Sequence, residues 1–379
     1  MQTVRTVRKL YDHFFSFLFL TCEVCAVCAL IVRMPHLIGD QAGPERPSGL
    51  LLMNARAFTD LFDSTRLARL HELVALGDPI RLDDLQGTDT AARLARTEIL
   101  ITGWGSPVLG PDVLAGAPAL RAVIHTGGSV KQHVSPEFWD RGILVTSAAD
   151  ANAIPVAEFT LATILLEGKR AATYIEGYRR HRDVGGAWRD EIPSSVNFGG
   201  TVGIIGLSRV GRRVAELLRP FALEVLVADP YASAADASAV GARLVDLDSM
   251  LSASDIVSVH APELPDTHHL LNARRIGLLR PHAVVINTAR GSLIDTDALV
   301  QRCRTGTLRA ILDVTDPEPL PEDSVLFDTP GIVLSPHIAG AMHAETARLA
   351  DSALDEIERL REGRPPAHRV EVESLGIIA

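Results

Sequence analysis

Three segments carry side chains able to do chemistry: Asn287-Thr288-Ala289-Arg290-Gly291, Asp313-Val314 with Glu318 five residues past Asp313, and Ser335-Pro336-His337. Each closes an apolar run of strand length, and the carboxyl ends of strands are where ligands bind in doubly wound sheets. A guanidinium can fix a carboxylate, an imidazole can protonate a developing alkoxide, and a carboxylate can hold that imidazole in register. Reduction of a 2-oxo acid needs those three groups. Taken singly, a strand-end arginine is usually a solvated charge and a histidine after proline a loop residue. Their occurrence together, in this order, points to a site.

A second constellation lies upstream. Val202-Gly203-Ile204-Ile205-Gly206-Leu207-Ser208-Arg209-Val210-Gly211 sits between a strand-like run and a helix, and Asp229 ends the next run 23 residues after Gly206. Gly206 permits a tight turn, Gly211 lets helix and strand pack closely, and the helix N-terminus offers N–H groups to a pyrophosphate. Asp229 can accept from both adenosine ribose hydroxyls and would repel a 2′-phosphate, so NAD is expected over NADP. Ser208 departs from the fingerprint, which has a second glycine there. Its small side chain is expected to be tolerated, with a hydroxyl that could itself donate.

These segments need two sets of elements to position them. After a linker over 43–49, a strand at 50–53 leads into a helical pattern over 58–76. Strand-like runs at 98–102, 121–125 and 143–146 then alternate with helix-length stretches. A long helix is expected from Pro155, in its first turn, towards Arg180. Six further runs, at 201–205, 223–228, 255–260, 283–288, 308–314 and 331–335, predict a second parallel sheet. Beyond His337 comes a helix with Ala347, Ala350, Leu354, Ile357 and Leu360 on one face, ending at Gly363 before Pro365 and Pro366. The fold class is α/β with two doubly wound parallel sheets.

The chain has 379 residues, 47% of them hydrophobic, which is enough for two domains. With 47 acidic against 37 basic residues it carries a net charge of −10 and no basic footprint for nucleic acid. Residues 14–32 are almost wholly apolar and follow Arg5, Arg8 and Lys9, as in a signal anchor. Glu23 would fall near mid-span, where a carboxylate is costly, and Met34 offers an alternative start. Residues 1–48 are therefore expected to be an extension and linker, dispensable to the fold. A membrane anchor over 14–32 and an ordinary packed helix are the alternatives. Cys22, Cys25 and Cys28 lack a nearby fourth ligand, and no metal is expected. Cys303, on a helix with no base beside it, is not expected to be a nucleophile.

The chain closely resembles the D-isomer-specific 2-hydroxyacid dehydrogenase family from near Gly49 to its end. The resemblance rests on Asn152-Ala153-Ile154-Pro155-Val156-Ala157-Glu158, the Gly206 turn, Ser258-Val259-His260-Ala261-Pro262, the Arg290 segment, Leu312-Asp313-Val314 through Glu318-Pro319-Leu320, and Pro336-His337-Ile338-Ala339-Gly340. It implies a flavodoxin-like substrate domain built from 49–150 and 341–379, with a Rossmann domain inserted over 151–340. It further implies Arg290 as the carboxylate clamp, His337 as general acid in reduction and base in oxidation, and Glu318 as the residue that holds His337. NAD is implied near Gly206, Ser208, Arg209, Val210, Gly211 and Asp229, along His260, Ala261, Pro262 and Thr267, and by Thr288, Ala289, Asp313 and Gly340, with the nicotinamide near Asp313. Gly127, Gly128 and Ser129 are implied as backbone donors to the substrate carboxylate. Trp104 either lines the pocket or packs at the surface.

Two departures stand out. Lys131-Gln132-His133 replaces an acidic, Asn-containing continuation of the Gly127 loop, and Glu263-Leu264 follows Pro262 where Leu-Thr is commoner. The first bears on the outer wall of the substrate pocket, the second on cofactor contacts. The resemblance implies a small 2-oxo or 2-hydroxy acid substrate, with glyoxylate or hydroxypyruvate expected first, and a homodimer through the Rossmann domain. A cytoplasmic location is expected. The competing reading is an NAD-sensing corepressor of the same fold, distinguished by turnover. Glu318, where a formate-type dehydrogenase has glutamine, argues against that activity. The short tail after Gly363 argues against a phosphoglycerate dehydrogenase with a C-terminal regulatory domain.

Overall fold

The computed structural model describes residues 46–131 and 133–376. The extension read over 1–45, with its apolar run, three cysteines and Met34, lies outside the described residues, as does Gln132. From residue 46 the chain forms two wholly parallel sheets.

The first sheet contains β1 Ser48–Leu52, β2 Ala75–Leu82, β3 Ile99–Thr102, β4 Ala122–His125 and β5 Leu144–Ser147, in the order β2-β1-β3-β4-β5. That is the flavodoxin-like order. The register runs Gly49↔Ile99 between β1 and β3 and Ala122↔Leu144 between β4 and β5. β3 and β4 are apolar up to Thr102 and His125 at their ends and are wholly buried, because helices cover both faces.

The second sheet contains β6 Thr201–Ile205, β7 Glu224–Ala228, β8 Arg243–Leu244, β9 Ile256–Val259, β10 Ala283–Asn287, β11 Leu308–Leu312 and β12 Ile332–Leu334. Its order, β12-β11-β10-β9-β6-β7-β8, is the dinucleotide-binding arrangement with one strand added beyond β11.

Two helices tie the sheets together. Helix Ala149–Gly168 leaves β5 and packs Ala157 and Ile164 against Val202, Ile204 and Ile286 of the second sheet. Helix Ala347–Arg361 follows the second sheet but buries Leu349, Leu354 and Ile357 against Leu51, Ile99 and Ile124 of the first. The chain therefore returns to the first sheet after completing the second. Gly363, at φ 66, follows this helix in the left-handed conformation that closes many helix ends.

Four expectations change. The helical pattern over 58–76 is two helices, Ala55–Leu61 and Ser64–Leu73, because Asp63 caps a new start by accepting from the Arg66 N–H at 2.8 Å. The stretch after it is strand β2, hidden in the sequence by Gly77 and Pro79, which an edge strand tolerates. The second sheet has seven strands among the described residues rather than six, the extra being the two-residue edge strand β8. Pro155 is not in a first turn: its helix begins at Ala149 and stops at Gly168, and a separate helix, Ala171–His181, starts after Arg170 turns the backbone left-handed at φ 59. Pro155 thus sits in a helix interior, where its missing N–H leaves the Ala151 carbonyl without its usual donor.

Candidate active site

The segment bearing His337 is fixed from below by one buried carboxylate. Asp313, directly after β11 and 2% exposed, accepts from Ser335 Oγ at 2.6 Å and from the N–H groups of Ile338 and Ala339 at 2.9 Å each. Its carbonyl accepts from the His337 N–H at 2.9 Å. Held on both sides, His337 adopts φ 54, a left-handed conformation that a histidine takes only when its surroundings impose it. Its Nδ1–H donates to Glu318 Oε1 at 2.6 Å. Both side chains reach solvent, at 54% and 39% exposure. The carboxylate fixes the tautomer, and Nε2 is left without a hydrogen bond among the described residues.

Arg290 lies on the neighbouring strand end. Asn287, the last residue of β10, donates from Nδ2 to the Arg290 carbonyl at 2.8 Å and accepts from the Ala289 N–H at 3.0 Å, closing the turn. Gly291 then passes so close to the next loop that a Cβ there would lie 2.0 Å from the Thr315 carbonyl carbon. The Arg290 turn and the chain leading to Glu318 are therefore in direct contact. Arg290 Nη1 donates to the Ala289 carbonyl at 2.6 Å, which leaves the rest of its planar donor fork for a carboxylate.

The first sheet contributes the opposite wall. A Cβ at Gly127 would lie 2.5 Å from His125 Nε2, so the Gly127-Gly128-Ser129 loop rests directly on that buried ring. Asn152 connects this loop to the His337 segment: its Oδ1 accepts from the Ala341 N–H at 2.9 Å, and its side chain is the nearest neighbour of both Gly128 and Gly340. Lys131 faces the second sheet. Burial pushes its ammonium pKa down, the like charge of Arg290 pushes it further, and Glu263 opposes both. Glu263 in turn accepts from Ser292 Oγ at 2.5 Å. Trp104 stands past the end of β3, 40% exposed, with its carbonyl accepting from the Asn54 N–H.

The dinucleotide turn leaves β6 beside these groups. Gly206 has φ 89, and a Cβ there would lie 2.8 Å from the Ala261 nitrogen, so the turn presses on the His260-Ala261 chain past β9. A Cβ at Gly211 would meet the Gly206 carbonyl oxygen at 2.0 Å. Ser208 is the N-cap of helix Arg209–Leu218, its Oγ accepting from the Gly211 N–H at 3.3 Å. The hydroxyl therefore serves the helix, and the N–H groups of Arg209 and Val210 remain without partners among the described residues. Asp229 accepts from the N–H groups of Leu207 and Tyr231 at 2.7 and 2.8 Å, which aims its carboxylate across the turn. Pro262 and Thr267 close the adjacent loop through a Thr267 Oγ1 donation to the Pro262 carbonyl at 2.7 Å. Thr288 Oγ1 lies 3.2 Å from Thr160 Oγ1. A tight turn at Gly206, open helix N–H groups and an acid at the second strand end fit a dinucleotide.

Two members of this assembly are identified only by the folded chain. Asp150 binds Arg209 at 2.7 Å and His368 at 2.9 Å, joining the dinucleotide turn to the C-terminal segment. Asn152 belongs to a motif singled out in the sequence, but its bridging role depends on a partner 189 positions away.

Comparison with known proteins accords with this geometry. Residues 163–339 match the family model described as D-isomer specific 2-hydroxyacid dehydrogenase, NAD binding domain. The glyoxylate reductase of Thermofilum pendens is 35% identical over 277 residues, covering 70% of this chain and 79% of that one. The D-3-phosphoglycerate dehydrogenase of Mycobacterium leprae is 33% identical over 293 residues, covering 76% of this chain but 54% of its own length. This chain thus spans about half the length of the phosphoglycerate dehydrogenases it matches. Among solved structures, a Thermus thermophilus protein superposes with a TM-score of 0.66 at 30% identity, over 85% of this chain and 100% of that one. A phosphoglycerate oxidoreductase from Rhizobium etli shares the fold with a TM-score of 0.73 at 24% identity, over 87% and 100%. The chain belongs to the D-isomer-specific 2-hydroxyacid dehydrogenase family, and residues 163–339 carry its NAD-binding domain.

Proposed function

We propose that the protein is an NAD-dependent oxidoreductase acting at the C2 carbon of a small 2-oxo or 2-hydroxy acid of the D series. The observation that carries this reading is the His337–Glu318 pair, 2.6 Å apart on a segment tied down by buried Asp313, beside the Arg290 turn. The cleft lies between a substrate domain of 49–150 and 341–379 and a dinucleotide domain of 151–340. Arg290 grips the substrate carboxylate in bidentate fashion, and the N–H groups of the Gly127-Gly128-Ser129 loop take its remaining lone pairs. Bound NADH supplies the hydride. His337 gives its Nε2 proton to the oxygen that becomes the hydroxyl, while Glu318 keeps the ring aimed. In oxidation the same atom takes the proton back. Asp229 selects NAD by repelling a 2′-phosphate.

Relatives named glyoxylate reductase and glyoxylate/hydroxypyruvate reductase B support glyoxylate and hydroxypyruvate as first substrates to try. A homodimer fits helix Ala171–His181, which buries none of its residues and leaves Ile175 and Tyr178 exposed, and the exposed Phe198 that follows in sequence. The test is NADH oxidation with glyoxylate, hydroxypyruvate, pyruvate and bulkier oxo acids, in the parent and in Arg290→Gln. Turnover with at least one acid is expected, with higher KM and lower kcat in the variant. Binding of NADH without turnover of any acid would favour a sensor instead.

A further inference from the structure

At the end of the second sheet remote from the active-site loops lies a cavity of about 310 Å³. His282 precedes β10, Leu308 opens β11 and Gly331 precedes β12, and all three line it. The wall brings Arg170, Arg304 and Arg309 together against a single carboxylate, Glu191, among the described residues.

The three arginines are not equivalent. Arg309 is neutralised, donating from Nε and Nη2 to the two Glu167 oxygens at 3.0 and 3.2 Å. Arg304 is exposed at the end of its helix. Arg170 is 5% exposed, and its Nε and Nη1 have no hydrogen-bond partner among the described residues. The nearby Asp255 does not serve it, being bound to Arg280 at 2.8 Å and to the Thr201 N–H at 2.9 Å. Burial pushes the Arg170 pKa below the ordinary arginine range, with the Glu167 and Asp255 charges opposing that shift and the Arg309 charge adding to it. A guanidinium taken out of water with idle donors is destabilising unless something accepts from it.

We infer that this cavity is a binding site for a small oxyanion, a carboxylate or phosphate group received by Arg170 from within and by Arg304 at the mouth. The planar donor fork of arginine matches the paired oxygens of either group, and the cavity is large enough to admit it. Glu167 and Arg170 stand at and just beyond the end of the helix whose first turn supplies Asp150 and Asn152 to the active-site loops. An anion here would therefore brace the far end of that helix.

The test is thermal unfolding of the full chain in inorganic phosphate and, separately, in acetate, with chloride adjusted to hold ionic strength constant. A saturable rise in Tm of about 3 °C over chloride is expected in at least one anion at ten times its Kd. Which anion produces it distinguishes a phosphate from a carboxylate ligand. The rise should vanish in Arg170→Met and need roughly 10-fold more anion in Arg304→Glu. No saturable rise in either anion overturns the inference. So does a rise unchanged in the variants, which would place the ion elsewhere, for instance at the Gly206 turn. Should Arg170→Met fail to fold, the exposed Arg304 position carries the test.

Discussion

Among the described residues, three histidines stand at or just beyond the carboxyl ends of strands, and they divide into two kinds. His125 ends β4 under the Gly127 loop and shares a hydrogen bond of 2.9 Å with Thr102 Oγ1. His260 follows β9 against the Gly206 turn and shares one of 2.8 Å with Ser258 Oγ. Each is 3% exposed, and burial pushes each pKa down to about 3, with the neighbouring His133 charge adding to the effect at His125. His337 is open to solvent and bonded to a carboxylate. A hydroxyl partner in a dry site keeps an imidazole neutral and structural, whereas a ring that reaches solvent beside a carboxylate is oriented with one nitrogen free. The same side chain supports the loops in two places and, in the proposed reaction, handles the proton in the third.

The largest effect expected from this division is on stability in acid. His125 and His260 titrate near 6.5 in the unfolded chain but near 3 when folded, so the unfolded state takes up protons first as pH falls. Their stability contribution is therefore complete above pH 6.5 and is lost progressively towards pH 3, at about 1.4 kcal/mol per pH unit for each ring. Urea unfolding at pH 7, 6 and 5 checks this before most carboxylates titrate. A free energy that stays level over that range would mean the two rings are not kept neutral by the fold.

Next in size is the exposed member of the set. His337→Asn should lower kcat by roughly 10²- to 10⁴-fold, the range of general acid–base catalysis, while leaving Tm nearly unchanged because the ring is half exposed. Glu318→Gln should cost less, on the order of 10²-fold, since the amide oxygen can still accept from Nδ1–H but carries no charge. Oxo-acid kinetics alongside NADH affinity separate the cases. A matching fall in NADH affinity would show that the pair supports the cofactor site rather than the proton transfer.

Much of this arrangement is legible in the sequence, and the exceptions have physical causes. Continuous apolar runs mark the buried strands because both faces of a parallel sheet are covered, and the Gly206 turn is marked by glycines that steric contact with Ala261 and Gly206 itself demands. Edge strands lack that signal, so β2, with Gly77 and Pro79, reads as loop, and β8 is too short to show a pattern. The helix break at Arg170 falls within Gly168-Lys169-Arg170-Ala171, where nothing local forbids a continued helix beyond the weak preference of one glycine. Arg290, Glu318 and His337 stand out by type and order. What holds them does not, because Asp313 meets its partners 22 to 26 positions away and Asn152 meets Ala341 after 189. Such ties depend on where strands end in space.

The smallest of the expected effects isolates the buried kind of histidine. Ser258→Ala removes the hydroxyl from His260 Nε2 inside a site that excludes water, leaving a ring nitrogen without its partner. An orphaned buried polar atom costs about 1–3 kcal/mol, less than the acid effect because the ring stays neutral and keeps its packing. The His260 N–H still donates to the Ile205 carbonyl at 2.8 Å, so the strand end and the adjacent Gly206 turn should hold their course. The urea midpoint should therefore drop while kcat at saturating NADH stays within about threefold of the parent, less than the smallest loss expected of a general acid. Glu318→Gln should do the reverse, losing rate without stability. Should Ser258→Ala lose rate as heavily as Glu318→Gln, His260 would belong with His337 as a participant in the reaction, and the division between the two kinds would fail.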